Sequence, residues 1–426
     1  MANGKSFFLL KERAAVNGNV FDELKARGFI AQVSNEDAVR KMLGERRVTF
    51  YIGYDCTAAS LHAGSLVPIM AMAHLRRAGH RALAVIGGGT TMVGDPSGRT
   101  EMRPLLAEET IRGFGVSIQA QLDRYLNFDG QGAIAVNNAD WLLPLNYVAF
   151  LRDVGRHFSV NRMLSAEAYR MRLEKGLSFI EFNYQLLQAY DFLHLFRTRR
   201  CTLQMGGDDQ WGNILAGVDL IRRVAGAEAE AMTFPLLTAA GGAKMGKTAQ
   251  GAVWLDAALC SPYDFYQYWV DCDDRDIGRF LRVYTFVPLD EIARLEKLRD
   301  QEINTAKRVL AYEATRLAHG EAAAAEARAA SGAAFGVAGG KDIQSLPTTS
   351  VPRDRLEAGI APAELFTDVG LTPSRGEAKR LIKQGGLYVN DERIDTHERL
   401  LTMEDVRPHG MLLKAGKKKI HRVIAK

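Results

Sequence analysis

The sequence predicts an α/β protein. A doubly wound parallel sheet is expected over residues 1–260, an α-helical domain over 261–335, a linker over 336–360 and a small α+β domain over 361–426. Three observations carry this. Apolar, β-branched runs alternate with helical periodicity as far as residue 260. Helix-forming sequence without strands follows. A stretch rich in Gly, Pro, Thr and Ser then sets apart a basic C-terminal unit. A strand, a helix and a second strand within about 40 residues make a βαβ unit, whose crossover implies parallel pairing.

Residues 1–45 read as polar and helical, with Val20, Leu24, Phe29 and Ile30 as packing points. VTFYIGYD (48–55) is β-branched and aromatic, the composition of a buried strand. A helix is expected over 64–78, stopped by Gly79, and ALAVIGGG (82–89) is a second apolar strand. AIAVNNADW (133–141) is strand-like, 179–196 has helical periodicity, CTLQMGG (201–207) is strand-like and 212–224 is helical. From Ser261 the pattern turns helical: Pro262 suits a first turn, and Tyr266, Trp269 and Val270 share helical spacing. GEAAAAEARAA (320–330) has high helix propensity. Residues 331–355 contain Gly336, Gly339, Gly340, Pro347 and Pro352, a linker composition.

With 47% hydrophobic and 25% charged residues, the chain can bury a core, which excludes collagen, coiled coil and wholesale disorder. No run of about 18 apolar residues is present, so no membrane partner is expected. The N-terminal stretch lacks the long apolar core of a secretory signal. The four cysteines form no CxxC pair, and reduced thiols in the cytoplasm are the expectation. The nine histidines show neither HExxH nor zinc-finger spacing, so no metal site is expected. Charge is unevenly placed. Residues 371–426 hold 13 Lys/Arg against 7 Asp/Glu, a surplus of +6 in a chain whose total is +5. The basic excess belongs to one small unit, as in a polyanion-binding appendage or a solvated charged tail.

Five segments carry polar or glycine residues where ligands of open α/β sheets bind, at strand C-termini and helix N-termini. The first runs from Tyr51 through Gly53, Asp55, Thr57, His62 and Gly64 to Ser65. His62 can donate to a phosphate or simply cap the helix; Gly64 admits a flat base or relieves crowding. The second, Gly87-Gly-Gly-Thr-Thr-Met-Val-Gly-Asp95-Pro-Ser-Gly98, is not GxGxxG, since Met92 replaces the third glycine. Asp95 can accept from an ammonium or bond its own backbone. The third, Gly241-Gly-Ala-Lys244-Met-Gly246-Lys247-Thr248, matches GxxxxGK[ST], yet the next residues turn strand-like at 252–256. No helix fits there to hold phosphates, so a P-loop ATPase is rejected. Two lysines on a glycine-flanked loop are flexible phosphate ligands, or a solvated hairpin tip. In the fourth, Tyr184, Gln188 and Asp191 are spaced i, i+4, i+7 and share one helix face, either a ligand wall or a solvent-facing stripe. The fifth, with Gly207, Asp209 and Gln210, again closes a strand and opens a helix, a third wall for the same pocket.

Together these segments resemble the bacterial-type tyrosyl-tRNA synthetases, which are class I aminoacyl-tRNA synthetases, in order across almost the whole chain. His62-Ala-Gly64-Ser65 looks like the HIGH signature, and Lys244-Met-Gly246-Lys247-Thr248 like the KMSKS signature in its KxGKT form. GDPSG (94–98), FNYQLLQAYDF (182–192) and GGDDQWGN (206–213) are similarly close, and SRGEAKRLIKQGGLYVN (374–390) looks like an S4-type RNA-binding module.

The resemblance implies a Rossmann-like catalytic domain, tyrosine and ATP as substrates with Mg2+ accompanying ATP, tRNA(Tyr) as partner, and a homodimer. It implies that Tyr51 and Asp191 hydrogen-bond the substrate phenol, and that Asp95, Tyr184 and Gln188 bind its ammonium. Gln210 and Asp209 would sit near the carboxylate and ribose. His62, Lys244, Lys247 and Thr248 would stabilise the phosphates, with Thr57 beside them. Gly53, Asp55, Gly64, Ser65 and Gly207 would line the nucleotide. Arg375, Lys379, Arg380 and Lys383 would face RNA. The chain departs from the family pattern at Ser65, where a second His is usual, at Cys56, where Pro is commonest, and at Ala59, where Asp is frequent. A tryptophanyl-type synthetase is disfavoured by Asp191 and the C-terminal module. A non-catalytic RNA-binding protein is the reading that Ser65 keeps open.

Overall fold

The computed structural model describes residues 18–98, 101–165, 167–173, 176–242, 245–248, 251–334, 346–390, 392–406, 410–416 and 419–426. The chain forms two compact units: residues 1–260 with 271–310, and 261–270 with 311–426.

The first unit is built on a parallel sheet in the order β3-β2-β1-β4-β5, with β1 Thr49–Asp55, β2 Arg81–Gly87, β3 Ala133–Asn137, β4 Cys201–Gly207 and β5 Glu230–Phe234. The chain winds outward from β1 to β3, then restarts on the other side with β4. The switch point therefore lies between the C-terminal ends of β1 and β4, where open α/β sheets open a crevice. Near-continuous burial along β2, from Ala82 to Gly87, is that of a strand covered on both faces. Val20, Leu24 and Phe29 are buried as the sequence implies. Arg27, itself buried, donates to the carbonyls of Arg282, Thr285 and Val287 at 3.2, 3.4 and 3.0 Å. It thereby ties the helix Val20–Arg27 to the segment that follows the helix Ile277–Tyr284.

Local side-chain chemistry shifted several expected elements. The strand expected over 133–141 ends at Asn137, whose side chain accepts from Ala139 N at 2.9 Å and starts the short helix Ala139–Leu142. The helix expected over 179–196 is two helices, Phe179–Phe182 and Tyr184–Arg199. A capping box at Ser178 starts the first, and Asn183 Nδ2 donates to Phe179 O at 2.7 Å where it ends. Of the strand-like 252–256, only Ala252 joins the antiparallel pair of β6 (Lys247–Thr248) and β7 (Gly251–Ala252), and Trp254 forms a bridge to His62. The helix Glu108–Leu126 and β5 were not legible in advance.

In the second unit, Gln267 Nε2 on the helix Pro262–Val270 bonds Tyr263 OH at 3.0 Å and Ser331 Oγ at 3.1 Å. The C-terminal sheet runs β10-β9-β11-β12-β8, with β8 Thr348–Val351, β9 Leu387–Val389, β10 Glu392–Arg393, β11 Met411–Ala415 and β12 Lys419–Ala425; β8 is parallel to β12 and the other pairs are antiparallel. Residues 346–360, linker-like in composition, thus supply a strand and the helix Arg353–Ala358 to this unit. Pairing with β12 satisfies the backbone that composition leaves unassigned.

Candidate active site

At the switch point lies a cavity of about 650 Å³. Its floor is Tyr51 on β1, 2% exposed and packed on Phe192 with ring centroids 5.5 Å apart. The Tyr51 hydroxyl is buried without a hydrogen-bond partner among the described residues, and so are the amide oxygens of Gln188 and Gln204. All three residues line the cavity. Buried polar atoms in a fold are almost always paired, so the orphaned Tyr51 hydroxyl and Gln188 amide oxygen mark a place for polar ligand atoms, while the Gln204 oxygen lies toward Gly217.

The helix Tyr184–Arg199 turns Tyr184, Gln188 and Asp191 into the cavity together, so the stripe is a wall and not a solvent face. Asp191 accepts from Asn138 Nδ2 at 2.9 Å and from Trp141 Nε1 at 2.7 Å. Burial, only partly offset by these donors, pushes its carboxyl up to about 7. Burial and the Asp191 charge hold the Tyr51 phenol well above its usual range. Asp55, at the end of β1, accepts from Thr90 Oγ1 at 2.8 Å and Tyr184 OH at 3.0 Å, and burial with Asp95 nearby raises it to about 6. Asp95 bonds both ways: Oδ1 accepts from its own loop, Ser97 N at 2.9 Å, and Oδ2 from Gln210 Nε2 at 2.7 Å. Asp209 is raised by burial and by Asp95. Carboxylates therefore dominate the inner cavity, with Arg103 as a lining cation, its Nε donating to Asp95 O at 3.2 Å. Such a lining suits an ammonium group.

The glycines serve close backbone approach. A Cβ on Gly87 would sit 2.3 Å from Asp55 Oδ1, and one on Gly207 2.6 Å from Asp209 Oδ1. A Cβ on Gly64 would lie 2.6 Å from Met245 O, and one on Gly246, at φ +75°, 2.5 Å from Gly64 N. The turn at 62–65 and the loop leading into β6 are thus pressed together, and Ala63 N donates to Val253 O at 2.8 Å. His62 does cap its turn, its Nδ1 accepting from Gly64 N at 3.0 Å, which leaves Nε2 as the proton-bearing nitrogen of the neutral ring. Gly53, Asp55, Thr57, His62, Ser65, Gly207, Asp209 and Gln210 all line the cavity. Thr248 lies in a strand and does not open a helix, in keeping with rejection of the P-loop. Lys244 lies outside the described residues, and Lys247 and Thr248 are described in their backbone alone.

Cys56 is fully buried, its N–H bonded to Thr91 Oγ1 at 2.7 Å, and burial with the Asp55 charge lifts its thiol to about 12, so it is an inert packing residue. A second cavity, of about 730 Å³, lies beside the helix Glu36–Glu45. Its Arg40 is held by both oxygens of Asp22 at 2.8 Å, and none of its lining residues carries an orphaned buried polar side chain among the described residues.

In the second unit, the helix Arg375–Lys383 buries Ala378 and Ile382 and exposes Arg375, Lys379, Arg380 and Lys383. Arg380 pairs with Glu377 at 2.6 Å and Arg375 with Glu364 at 3.5 Å, whereas Lys379 and Lys383 have no ion-pair partner among the described residues. Lys417 and Lys418 lie outside the described residues.

Residues 43–336 match the tRNA synthetases of class I (W and Y), and residues 342–423 match the tyrosine–tRNA ligase SYY-like C-terminal domain. A tyrosine–tRNA ligase of Desulfosudis oleivorans is 52% identical, covering 96% of this chain and 99% of that protein. The chain belongs to the tyrosine–tRNA ligase family. A family member from Syntrophus aciditrophicus is 54% identical over 94% of this chain. A C-terminally truncated mitochondrial tyrosyl-tRNA synthetase of Aspergillus nidulans superposes with a TM-score of 0.66 at 30% identity, covering 73% of this chain and 92% of that one.

Sequence reasoning missed Asn138, Trp141 and Arg103, which complete this tyrosine–tRNA ligase site, and gave no role to Thr90 and Gln204, although both fall within the candidate segments. Asn138 and Trp141 gave no signal, because their partners are remote in sequence.

The buried Asp191 has a consequence for stability. Its carboxyl rises from 3.8 to about 7 on folding, so between those values the native state holds a proton that the unfolded chain has lost. Its contribution to stability is therefore greatest at low pH and falls as pH rises through that window. Asp191→Asn is expected to gain stability relative to the parent between about pH 4 and about pH 7, by up to about 1.4 kcal/mol per pH unit. Urea unfolding across that range checks this; a pH-independent difference would count against it.

Proposed function

We propose that the chain activates L-tyrosine with ATP to tyrosyl-adenylate and pyrophosphate, then transfers tyrosine to the 3′-terminal adenosine of tRNA(Tyr). The observation that carries this is the orphaned Tyr51 hydroxyl at the floor of a polar cavity lined by His62 and Ser65, whose turn is pressed against Met245 and Gly246. Tyr51 and Asp191 receive the substrate phenol. Asp95, Tyr184 and Gln188 hold its ammonium, in keeping with the acidic lining. Gln210 and Asp209 lie toward the carboxylate and ribose. Gly53, Asp55, Gly64, Ser65 and Gly207 line the nucleotide.

The tyrosine carboxylate attacks the α-phosphorus of ATP, the bond to the β-phosphate oxygen breaks, and pyrophosphate leaves. No protein nucleophile takes part, so the work is positioning and neutralisation of charge on the pentacoordinate phosphorus. His62, Thr57, Lys244, Lys247 and Thr248 serve that role, and Mg2+ arrives on the triphosphate. In the second step a ribose hydroxyl of the terminal adenosine attacks the adenylate carbonyl and AMP departs. Residues 261–335 act on the anticodon side, and residues 361–426, together with the strand and helix that 348–358 add to the same unit, bind RNA, in an enzyme of the cytoplasm.

ATP–pyrophosphate exchange without tRNA, run with tyrosine, tryptophan and phenylalanine in turn, tests the first step. Exchange with tyrosine alone is expected. Exchange with tryptophan alone, or none from folded protein, would overturn the reading. The doubly substituted Lys379→Glu/Lys383→Glu protein is expected to keep that exchange but to bind tRNA weakly, with the log–log salt slope reduced by about one or two. Loss of exchange as well would make the face structural.

The enzyme also acts as a homodimer. The helix Tyr147–Asp153 exposes Tyr147, Val148 and Leu151 by 58%, 72% and 38%, an apolar face suited to a second copy. Val148→Glu is expected to halve the sedimenting mass; an unchanged mass would rule this helix out.

A further inference from the structure

We propose that His194 is a positioning residue for tyrosine recognition: its imidazole lies flat against the Trp141 indole and fixes the plane from which Trp141 donates to Asp191. The two rings are stacked, with centroids 4.5 Å apart and planes inclined by 12°. On the ring edge, Trp141 Nε1 donates to Asp191 Oδ1 at 2.7 Å. His194 follows Asp191 by three residues on the same helix, so acceptor and plate are carried side by side by one rigid element. The indole is therefore braced at an edge and on a face by residues whose spacing the helix sets.

The other donor to Asp191 is held differently. Asn138 Oδ1 accepts from Gly89 N at 2.8 Å, and its Nδ2 donates to Thr90 Oγ1 at 2.9 Å as well as to Asp191 Oδ2 at 2.9 Å. Asn138 is thus pinned by backbone and side-chain bonds of its own. Trp141 has one N–H, already given to Asp191, and stands on a helix of four residues, so its ring orientation rests on packing. Tyr190 backs His194 in turn, with centroids 6.3 Å apart, and Phe150 meets Tyr190 edge-on at 5.6 Å. This row keeps the imidazole from swinging away from the indole. Stacking needs a flat ring at position 194, and the hydrogen-bonding capacity of the imidazole is not required for it.

This inference rests on the reading that Asp191 accepts from the substrate phenol. The experiment uses the full-length protein in tyrosine-dependent ATP–pyrophosphate exchange, with His194→Ala, His194→Phe and Asp191→Asn side by side. His194→Ala is expected to raise KM for tyrosine about three- to tenfold, the range of one stacked aromatic pair, while kcat and KM for ATP stay within about twofold. His194→Phe is expected to restore the parental KM. An unchanged KM in His194→Ala would overturn the proposal. So would an equal rise in the Ala and Phe variants, or a parallel loss in kcat, both KM values and melting temperature, which would mark general packing. Asp191→Asn with undiminished selection of tyrosine over phenylalanine would instead overturn the underlying assignment of Asp191.

Discussion

Replacing Asp191 with Asn is expected to lower kcat/KM for tyrosine by about 10²-fold while leaving the low activity with phenylalanine almost unchanged. Selecting tyrosine over phenylalanine depends on one hydroxyl. A hydrophobic slot cannot make that choice, since it would accept either ring. Here the slot ends in the unpaired Tyr51 hydroxyl and the buried Asp191 carboxylate. Phenylalanine would leave the Tyr51 hydroxyl without a partner and bring Asp191 no donor beyond Asn138 and Trp141, and an unmet polar group costs about 1–3 kcal/mol. Tyrosyl-tRNA synthetases are the established case of this asymmetry, with discrimination of about 10⁵. Asn at position 191 keeps the shape but loses the charge, and must turn its amide toward one of two donors, Asn138 or Trp141. The measurement is the ratio of kcat/KM values for the two amino acids in pyrophosphate exchange. Full discrimination in Asp191→Asn would remove Asp191 from the recognition of the phenol.

Lys247→Ala is expected to slow the single-turnover formation of tyrosyl-adenylate by about 10²- to 10³-fold, the usual loss for one donor to a transition-state charge. The position of its backbone supports this. Lys247 follows Gly246, whose carbonyl accepts from Val253 N at 2.8 Å and whose α-carbon lies too close to Gly64 N for any side chain. The lysine is therefore carried by a hairpin seated against the His62 turn. Because charge develops on phosphorus and not on the amino acid, KM for tyrosine is expected to stay near the parental value. Rapid-quench kinetics with radiolabelled ATP separates the two. A normal burst of adenylate from Lys247→Ala would show that the lysine does not act on the phosphates.

Local regularities in this chain were readable in advance because they repeat at short range. The β-branched run before Asp55, the glycine after Ala78 and the i, i+4, i+7 stripe of Tyr184, Gln188 and Asp191 carry their periodicity in neighbouring residues. The ordered set of short motifs placed the pocket and rejected the P-loop, because no helix could fit between Thr248 and Ala252. The breaks at Asn137 and Asn183 escaped detection, since each depends on a side chain capturing a backbone group. So did β8, whose Thr-rich sequence becomes a strand only beside β12.

The sequence by itself determined the class of fold, the family and which segments meet at the switch-point cavity, because these follow from residue types in fixed order. Tertiary structure alone decided the chemical state of those side chains. Asp191 meets Asn138 and Trp141 across about 50 residues of chain, and Tyr184 reaches Asp55 across 129. Water is excluded from these groups only when all those segments close together. Desolvation then raises the carboxyls and leaves the Tyr51 hydroxyl without a partner. A charge in water has no memory of sequence neighbours; its cost is set by whatever atoms surround it once the chain has folded.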